Sequence, residues 1–555
     1  MIRSIFNSLQ NVHARQITLT HTVLACILIT PGCAVSVIGQ KNASLDIIPI
    51  GTTRSVDCTD LPDHAAWNVN SSATQTWDGS AWLPSDLTAT YDLNVSSIAC
   101  HFVCNVGYVW IHSACNPSGT LDSSFGTAGI SVLPETVITG LYTRGLKVDS
   151  QGRILVGYYA GSGANQDIKM RRLSAAGASD DTFGTSGLFS FAGPDGNTTS
   201  PAADYLWGIT IDSDDRPLIF GEIRNSLTAL SFDALIMRVT TAGALDTATF
   251  GATGLGYFLH DGASGNTNRE DLMQGGIQDS NGKYVVAGNS YFTNATDSDA
   301  VIWRINLDGT LDPSFNGTGY RVLKNISVSN TNEVFYSVAE DSQGRLVACG
   351  YAKNSNNNDF FIVRLTPTGT LDTSFNSTGY RVIDGVLTGT SVSDSCIRVV
   401  IDSEDRIIAG GVGANSSGDN DLFLLRLNED GTVDSSYGSS GKIVLSNLGG
   451  NSTSNDNFYD MIIDQHDRVT LVAQTQNTNP KNLGLLARVT ASGALDTSFN
   501  STGYVLMNSN QTTATLHDTF RAVAQGPDQR LFVLHASQTS ATPSTYAIQV
   551  HSYFP

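Results

Sequence analysis

The sequence predicts an all-β protein: a seven-bladed β-propeller of four-stranded blades, preceded by a small disulfide-rich module. Three observations predict the propeller. One phrase recurs seven times, as GTLDSSFGTAG (Gly119 to Gly129), GASDDTFGTSG (Gly177 to Gly187), GALDTATFGATG (Gly243 to Gly254), GTLDPSFNGTG (Gly309 to Gly319), GTLDTSFNSTG (Gly369 to Gly379), GTVDSSYGSSG (Gly431 to Gly441) and GALDTSFNSTG (Gly493 to Gly503). Its copies start 58, 66, 66, 60, 62 and 62 residues apart, the period of an array in which each unit packs only on its neighbours. Between the copies lie runs that are apolar at consecutive positions, such as Phe360-Phe361-Ile362-Val363. A strand with one wet face alternates, whereas an unbroken apolar run has both faces covered. Four-stranded sheets buried face to face are the blades of a propeller.

The N-terminal elements come first. Residues 1–33 have the form of an export signal: Arg3 and Arg15 give a weakly positive start, and Thr22 to Thr30 (TVLACILIT) is an apolar run too short to span a bilayer. Pro31-Gly32-Cys33 follows. A small residue before a cysteine fits a bacterial lipoprotein signal, which makes Cys33 the candidate lipidation site; plain secretion is the alternative. Residues 34–57 carry no strong pattern and read as a linker. Residues 58–115 read as a separate module holding Cys58, Cys100, Cys104 and Cys115 and four of the six tryptophans. Four cysteines in a short exported segment are expected to form two disulfides, with three pairings open. Trp77-Asp-Gly-Ser-Ala-Trp82 places a hairpin turn between two aromatic residues. Cys349 and Cys396, in strands of neighbouring repeats, are expected to be buried free thiols.

From residue 116 to 555 each unit has three landmarks in fixed order. The phrase is followed by a short strand such as Tyr320 to Leu323 or Lys442 to Leu445. An acidic tight turn comes next, as in VDSQGRILVG (Val148 to Gly157) or IDSEDRIIAGG (Ile401 to Gly411), with a degenerate last copy at Ala524 to Leu534. Asp and Gly between two apolar runs are the chemistry of a short hairpin loop. A third strand usually begins with Asp and ends with Arg, as in DFFIVRL (Asp359 to Leu365).

The phrase, the D-S-x-G-R turn and the terminal R-L strand together resemble the delta-60 repeat of bacterial exported proteins. The resemblance covers residues 116–555. It implies a β-propeller in a cell-surface or secreted setting and no settled activity. Gly243 to Gly254 departs from the pattern by one inserted residue, and the seventh unit lacks the acidic turn residue and the final Arg. The seven units run complete and in phase from 116 to 555, so blade seven is expected to meet blade one by face packing or through a strand exchange outside the motif frame.

Asp122, Asp180, Asp246, Asp312, Asp372, Asp434 and Asp496 hold the same place in seven units, and Arg172, Arg238, Arg304, Arg364, Arg426 and Arg488 hold another in six. One catalytic site needs one set of groups. Residues repeated in every blade are therefore read as scaffold: the Asp as a turn former accepting backbone N–H bonds, the Arg as a bridge to acids or carbonyls nearby, and the aromatic residue of the phrase as a plug between blades. Function is expected where units differ, in polar connections such as Asn225 to Ser231, Asp261 to Glu270, Asn354 to Asp359 and Asn415 to Asp421.

The net charge of -20, with no basic cluster longer than Arg171-Arg172, excludes a nucleic-acid partner. No H-E-x-x-H, G-x-S-x-G or G-x-x-x-x-G-K motif occurs, and His260, His466, His517, His535 and His551 share no metal-ligand spacing. No catalytic, cofactor-binding or metal residue is assigned; the oxygen-rich loops leave calcium as the one ion to consider. The expectation is a non-enzymatic, exported or surface-held monomer that binds a protein or glycan, meeting the membrane only through a lipid anchor. An extracellular polysaccharide hydrolase or lyase acting at the channel mouth, and a structural spacer, are the alternatives.

Overall fold

The computed structural model describes residues 114–555, apart from short stretches at 139–144, 163–164, 194–203, 225–231, 252–253, 266–269, 292–296, 328–330, 389–391, 454, 479–480, 509–515 and 542–543, and the backbone of seven strands before residue 114. The chain divides into two compact units, Met1–Pro117 and Ser118–Pro555. The signal region, Cys33 and the side chains of Cys58, Cys100, Cys104 and Cys115 lie outside the described residues. In the first unit Thr53–Asp57, which falls in the stretch read as linker, pairs antiparallel with Ser72–Trp77. Trp77 in turn faces Trp82 across a hairpin.

The second unit is a propeller of seven four-stranded antiparallel sheets. Blade four is typical: Glu333–Glu340, Leu346–Lys353, Asn358–Leu365 and Tyr380–Ile383 pair in sequence order. The first strands of consecutive blades touch one another all round the ring, so they wall the central channel: Gly145–Val148, Asp204–Ile211, Asp271–Gln278, Glu333–Glu340, Asp394–Ile401, Asn457–Ile463 and Asp518–Gln525. Middle strands are buried on both faces; all eight residues of Ser298–Ile305 are buried. Each core is a layer between two blades. Val285, Ile302 and Phe315 of blade three, for example, pack on Phe335, Val338 and Phe361 of blade four.

The ring closes by strand exchange. Blade seven is built from Asp518–Gln525, Leu531–Ala541, Ser544–Tyr553 and, as its outer strand, Ile130–Ile138 from the start of the repeat region. The first phrase therefore docks on the last strand. Gly119 donates its N–H to the Phe554 carbonyl at 2.8 Å, and the Ser118 hydroxyl donates to the Pro555 carbonyl at 2.5 Å. The unit read from the sequence is thus shifted by one strand against the blade.

Cys349 and Cys396 form a disulfide, with Cα atoms 5.7 Å apart. This corrects the expectation of free thiols. Cys349 lies in the second strand of blade four and Cys396 in the inner strand of blade five, and both are fully buried. The bond fastens one blade to the next with a covalent link.

Candidate functional site

With the four strands of a blade lettered a to d from the channel outward, the a-to-b hairpin turns and the c-to-d phrases fall at one end of the blades, by the antiparallel strand order. Here the recurrent residues make a repeated clamp. Arg304 Nε donates to Asp312 Oδ2 at 2.9 Å, while Asp312 Oδ1 accepts the Ser314 N–H at 3.1 Å. The guanidinium sits 4.8 Å from the centroid of the Phe315 ring and reaches the Pro367 carbonyl of the next blade. The same ion pair forms at Arg172–Asp180, Arg238–Asp246, Arg364–Asp372, Arg426–Asp434 and Arg488–Asp496, all at 2.7–2.8 Å. Burial works against the Asp312 charge, yet the Ser314 hydrogen bonds and the Arg304 and Lys283 charges hold its carboxyl below the ordinary range. Blade seven has Ser552 where the Arg would stand, and Arg530, in the turn just before its second strand, binds Asp122 instead, at 3.0 Å.

The hairpin turns at this end are equally regular. Asp341 Oδ1 accepts the N–H groups of Gln343 and Arg345, and Asp341 Oδ2 takes the Arg345 guanidinium at 2.5 Å. The fourth turn residue must be left-handed: Gly344 has φ +75°, and Asp405 fills the same place in blade five with φ +59°. The repeated Asp and Arg side chains here are engaged by the scaffold.

The opposite end carries the b-to-c loops and the connections between blades. Two of the loops singled out in the sequence are shorter and tighter than expected. Residues 354–357 form a four-residue turn in which Asn354 Oδ1 accepts the N–H groups of Asn356 and Asn357, and the Asn354 amide donates to both Asp359 oxygens at 3.0 Å. Asn415 organises its loop in the same way. Asn225 to Ser231 and part of Asp261 to Glu270 lie outside the described residues. Among the described residues no group of three or more His, Cys, Asp or Glu side chains is arranged to hold a metal ion.

A buried acid opens the inner strand of six blades: Asp204, Asp271, Glu333, Asp394, Asp456 and Asp518, each at most 2% exposed. They tie down the connection that precedes them. Asp271 accepts the Gly262 N–H at 2.8 Å, and Asp394 accepts those of Gly385 and Val386. Burial pushes Asp271 up to about 7, Glu333 to about 8 and Asp394 to about 6. In blade seven Asp518 instead accepts from His535 Nε2 at 3.0 Å; His535 Nδ1 meets His551 Nε2 at 3.0 Å, all three fully buried. Burial, then the His535 charge, drives His551 well below the ordinary imidazole range. This chain of groups has no exposed member.

The asymmetry lies inside the channel. Six inner strands carry a β-bulge just before their midpoint. A bulge leaves one residue unpaired and turns it out of the ladder. That residue is Trp207, Gln274, Tyr336, Ile397, Tyr459 or Arg521, five places before the residue that opens the turn. All but Gln274 are partly exposed. The Arg521 guanidinium lies 4.3 Å from the centroid of the Tyr459 ring, a stacked cation–π pair across two blades. Trp207 Nε1 donates to Glu222 Oε1 at 3.2 Å and its ring lies 6.2 Å from Tyr205. Tyr336 continues the arc, 6.0 Å from Tyr351.

Two carboxyls of unequal character join this arc. Burial, then the Glu270 charge, push Glu222 up to about 8. Burial and the charges of Glu270 and Glu222 also raise Tyr291. Glu222 is 5% exposed, so it holds its proton at neutral pH. Sequence reasoning missed all of these residues. A signal existed: in units two to seven this column changes from Trp to Gln, Tyr, Ile and Arg while the residue before it stays apolar.

Three segments, residues 280–315, 342–375 and 405–437, match a family model described as a beta-propeller domain of unknown function, DUF5122. Each match runs from an acidic turn to the aromatic residue of the next phrase: Phe315, Phe375 or Tyr437. No curated protein matches the sequence. Among solved structures the chain is similar to a protein of unknown function from Dyadobacter fermentans, at 11% identity and a TM-score of 0.36 over 77% of this chain and 99% of that one. It is similar to the polysaccharide lyase Uly1 at 10% identity and a TM-score of 0.42, over 80% and 94%. It is similar to Sqt1 of Chaetomium thermophilum at 12% identity and a TM-score of 0.37, over 74% and 95%.

Proposed function

We propose that the protein is an exported bacterial binding protein whose ligand, a glycan, docks on the aromatic arc of the propeller channel. The observation that carries this reading is the placement of Trp207, Tyr336 and Tyr459, partly exposed, on the bulges of three inner strands. Aromatic faces on a rigid ring suit the apolar faces of sugar rings, and Tyr and Trp add a polar edge. The buried Cys349–Cys396 disulfide supports an oxidising destination, outside the cytosol, as does the signal-like start. Cys33 is the proposed point of lipid attachment, and Cys33→Ala is expected to move the protein out of the membrane fraction; unchanged partitioning would refute the anchor.

A hydrolytic reading draws on one observation, the Glu222 carboxyl raised by burial and by the neighbouring Glu270, since an acid that keeps its proton can act as a proton donor. Glu222 is committed to the Trp207 N–H and nearly enclosed, which favours binding. A glycan array beside a polysaccharide-degradation screen decides between the two. Binding is expected to fall at least tenfold in Trp207→Ala and in Tyr336→Ala, with no turnover of any polysaccharide. Turnover abolished by Glu270→Gln would overturn the binding-only reading.

A further inference from the structure

Below the aromatic arc the channel changes character. Two residues further along each inner strand from the arc, and again beyond it, the blades differ in an ordered way. One residue past the bulge, blades one to three carry glycine (Gly145, Gly208, Gly275), whereas blades five and six carry Arg398 and Asp460. The glycines let neighbouring inner strands close up: a Cβ on Gly208 would lie 2.7 Å from the Gln274 carbonyl oxygen, and one on Gly275 would lie 3.0 Å from that of Tyr336. They also leave this level without side chains opposite the charged pair. Two residues on, Lys147 of blade one is the only charged residue of its level, among Thr210 and five aliphatic side chains.

Two of these charges pair between neighbouring blades. Arg398 Nε donates to Asp460 Oδ1 at 2.8 Å, and Asp460 Oδ2 accepts the Val523 N–H of blade seven at 3.2 Å. Burial lowers the proton affinity of the Lys147 ammonium, the Asp460 charge raises it, and the Arg398 charge lowers it again. Its partners belong to blades six and five, neither of which neighbours blade one, so only the channel brings them together. Arg521 adds a second guanidinium at the level above, its Nε buried with no hydrogen-bond acceptor.

Among the described residues of these levels stand three basic side chains, Lys147, Arg398 and Arg521, against one carboxylate, Asp460. That excess stands out in a chain of net charge -20. The other recurrent arginines are each matched to an acid in the clamps and turns. A charge of one sign inside low-dielectric walls concentrates its field on the channel axis, and opposed cations are relieved by an anion between them.

We infer that the throat of the channel is an anion site, which takes one carboxylate or sulfate group of the sugar held at the aromatic arc. This rests on the glycan reading and narrows it to an acidic glycan. Carboxylate and sulfate share the chemistry the site recognises, namely bidentate contact to guanidinium and a point contact to ammonium.

The test uses the full chain and two variants drawn from other blades, so the fold is kept: Lys147→Thr, the residue of blade two at that level, and Arg521→Gln, the residue of blade three. Inorganic sulfate and acetate are titrated against wild type and variants by thermal shift. Uronate and sulfated oligosaccharides are then compared with their carboxyl-reduced and desulfated counterparts. Sulfate or acetate is expected to raise the melting temperature of wild type more than that of Lys147→Thr. Affinity for one acidic class is expected to exceed that for its neutral counterpart at least tenfold, a preference lost in both variants; which class shows it identifies the group. If acidic and neutral sugars bind alike in wild type, or if the preference survives in both variants, the throat inference is overturned while the arc stands. If the inorganic anions separate wild type from Lys147→Thr and no sugar binds, the arc reading falls and the anion site stands. If the anions act equally on all three proteins and no sugar binds, both are overturned.

Discussion

The clamp end of the propeller and its channel are built from the same seven repeats and differ in how strictly they repeat. At the clamp end six blades make the same Arg–Asp pair at 2.7–2.9 Å, with the same aromatic ring beneath the guanidinium. In the channel, equivalent positions hold Gly145, Ser337, Arg398, Asp460 and Ala522. Every blade must turn its chain and grip the next, so that end tolerates little variety. Nothing structural requires the inner strands to match on the side facing the channel, and there a ring of equals has become a site with direction. Recurrence marks scaffold in this molecule, and departure from recurrence marks the place to look for function.

The sharpest way to break that comparison is to remove one clamp arginine. Arg364→Ala leaves Asp372 partly buried without its cation and removes the bridge to the Glu429 carbonyl. A loss of about 3–5 kcal/mol is expected from urea unfolding; a loss below about 1 kcal/mol would mean the clamps are not the scaffold. The disulfide comes next. The Cys349→Ser, Cys396→Ser double variant is expected to lose about 2–4 kcal/mol, with the same loss on reduction of wild type.

The buried acids at the other end give a pH dependence. Glu222 and Glu333 at about 8 and Asp271 at about 7 keep protons that the unfolded chain has already released. The native state therefore binds more protons above the ordinary carboxyl range, and stability falls as pH rises from the ordinary carboxyl range through 8. His551 acts on the other flank. Its native affinity is depressed, so the unfolded state binds more protons below pH 6.5, and stability falls as the solution is acidified through that value. Three raised acids outweigh one depressed imidazole, so urea midpoints are expected to fall as pH rises from 6 to 9, and a rise over that range would contradict the assignment. The smallest effect is the most telling. Lys147→Thr and Arg521→Gln should each change stability by no more than about 0.5 kcal/mol while altering ligand binding, the reverse of Arg364→Ala.

The legibility of the chain follows the same division. The hairpin at Asp341 to Arg345 could be read because Asp, Gly and Arg act within five residues of one another. The blade count was legible for a similar reason, since the phrase from Gly309 to Gly319 closes on itself through Phe315 and Asp312. The union of Ile130–Ile138 with Ser544–Tyr553 was not legible, because it joins the two ends of the repeat region through backbone pairing that leaves no mark in composition. Cys349 and Cys396 read as thiols because they sit in different units, 47 residues apart. Among the candidate site residues, Trp207 and Arg521 were passed over because each is a single departure in a column that means nothing until the columns form a ring.

By itself the sequence determined the strands, the turns, the number of blades and the clamp residues, since these depend on interactions within one unit or between successive ones, and such interactions print a period. Only the tertiary structure decided how the ring closes, which cysteines meet, and that Lys147, Arg398 and Asp460 share one channel. Those contacts link residues from 47 to more than 400 positions apart, in different blades, and their partners are set by how the blades pack and close the circle, a geometric condition that no local run of residues carries.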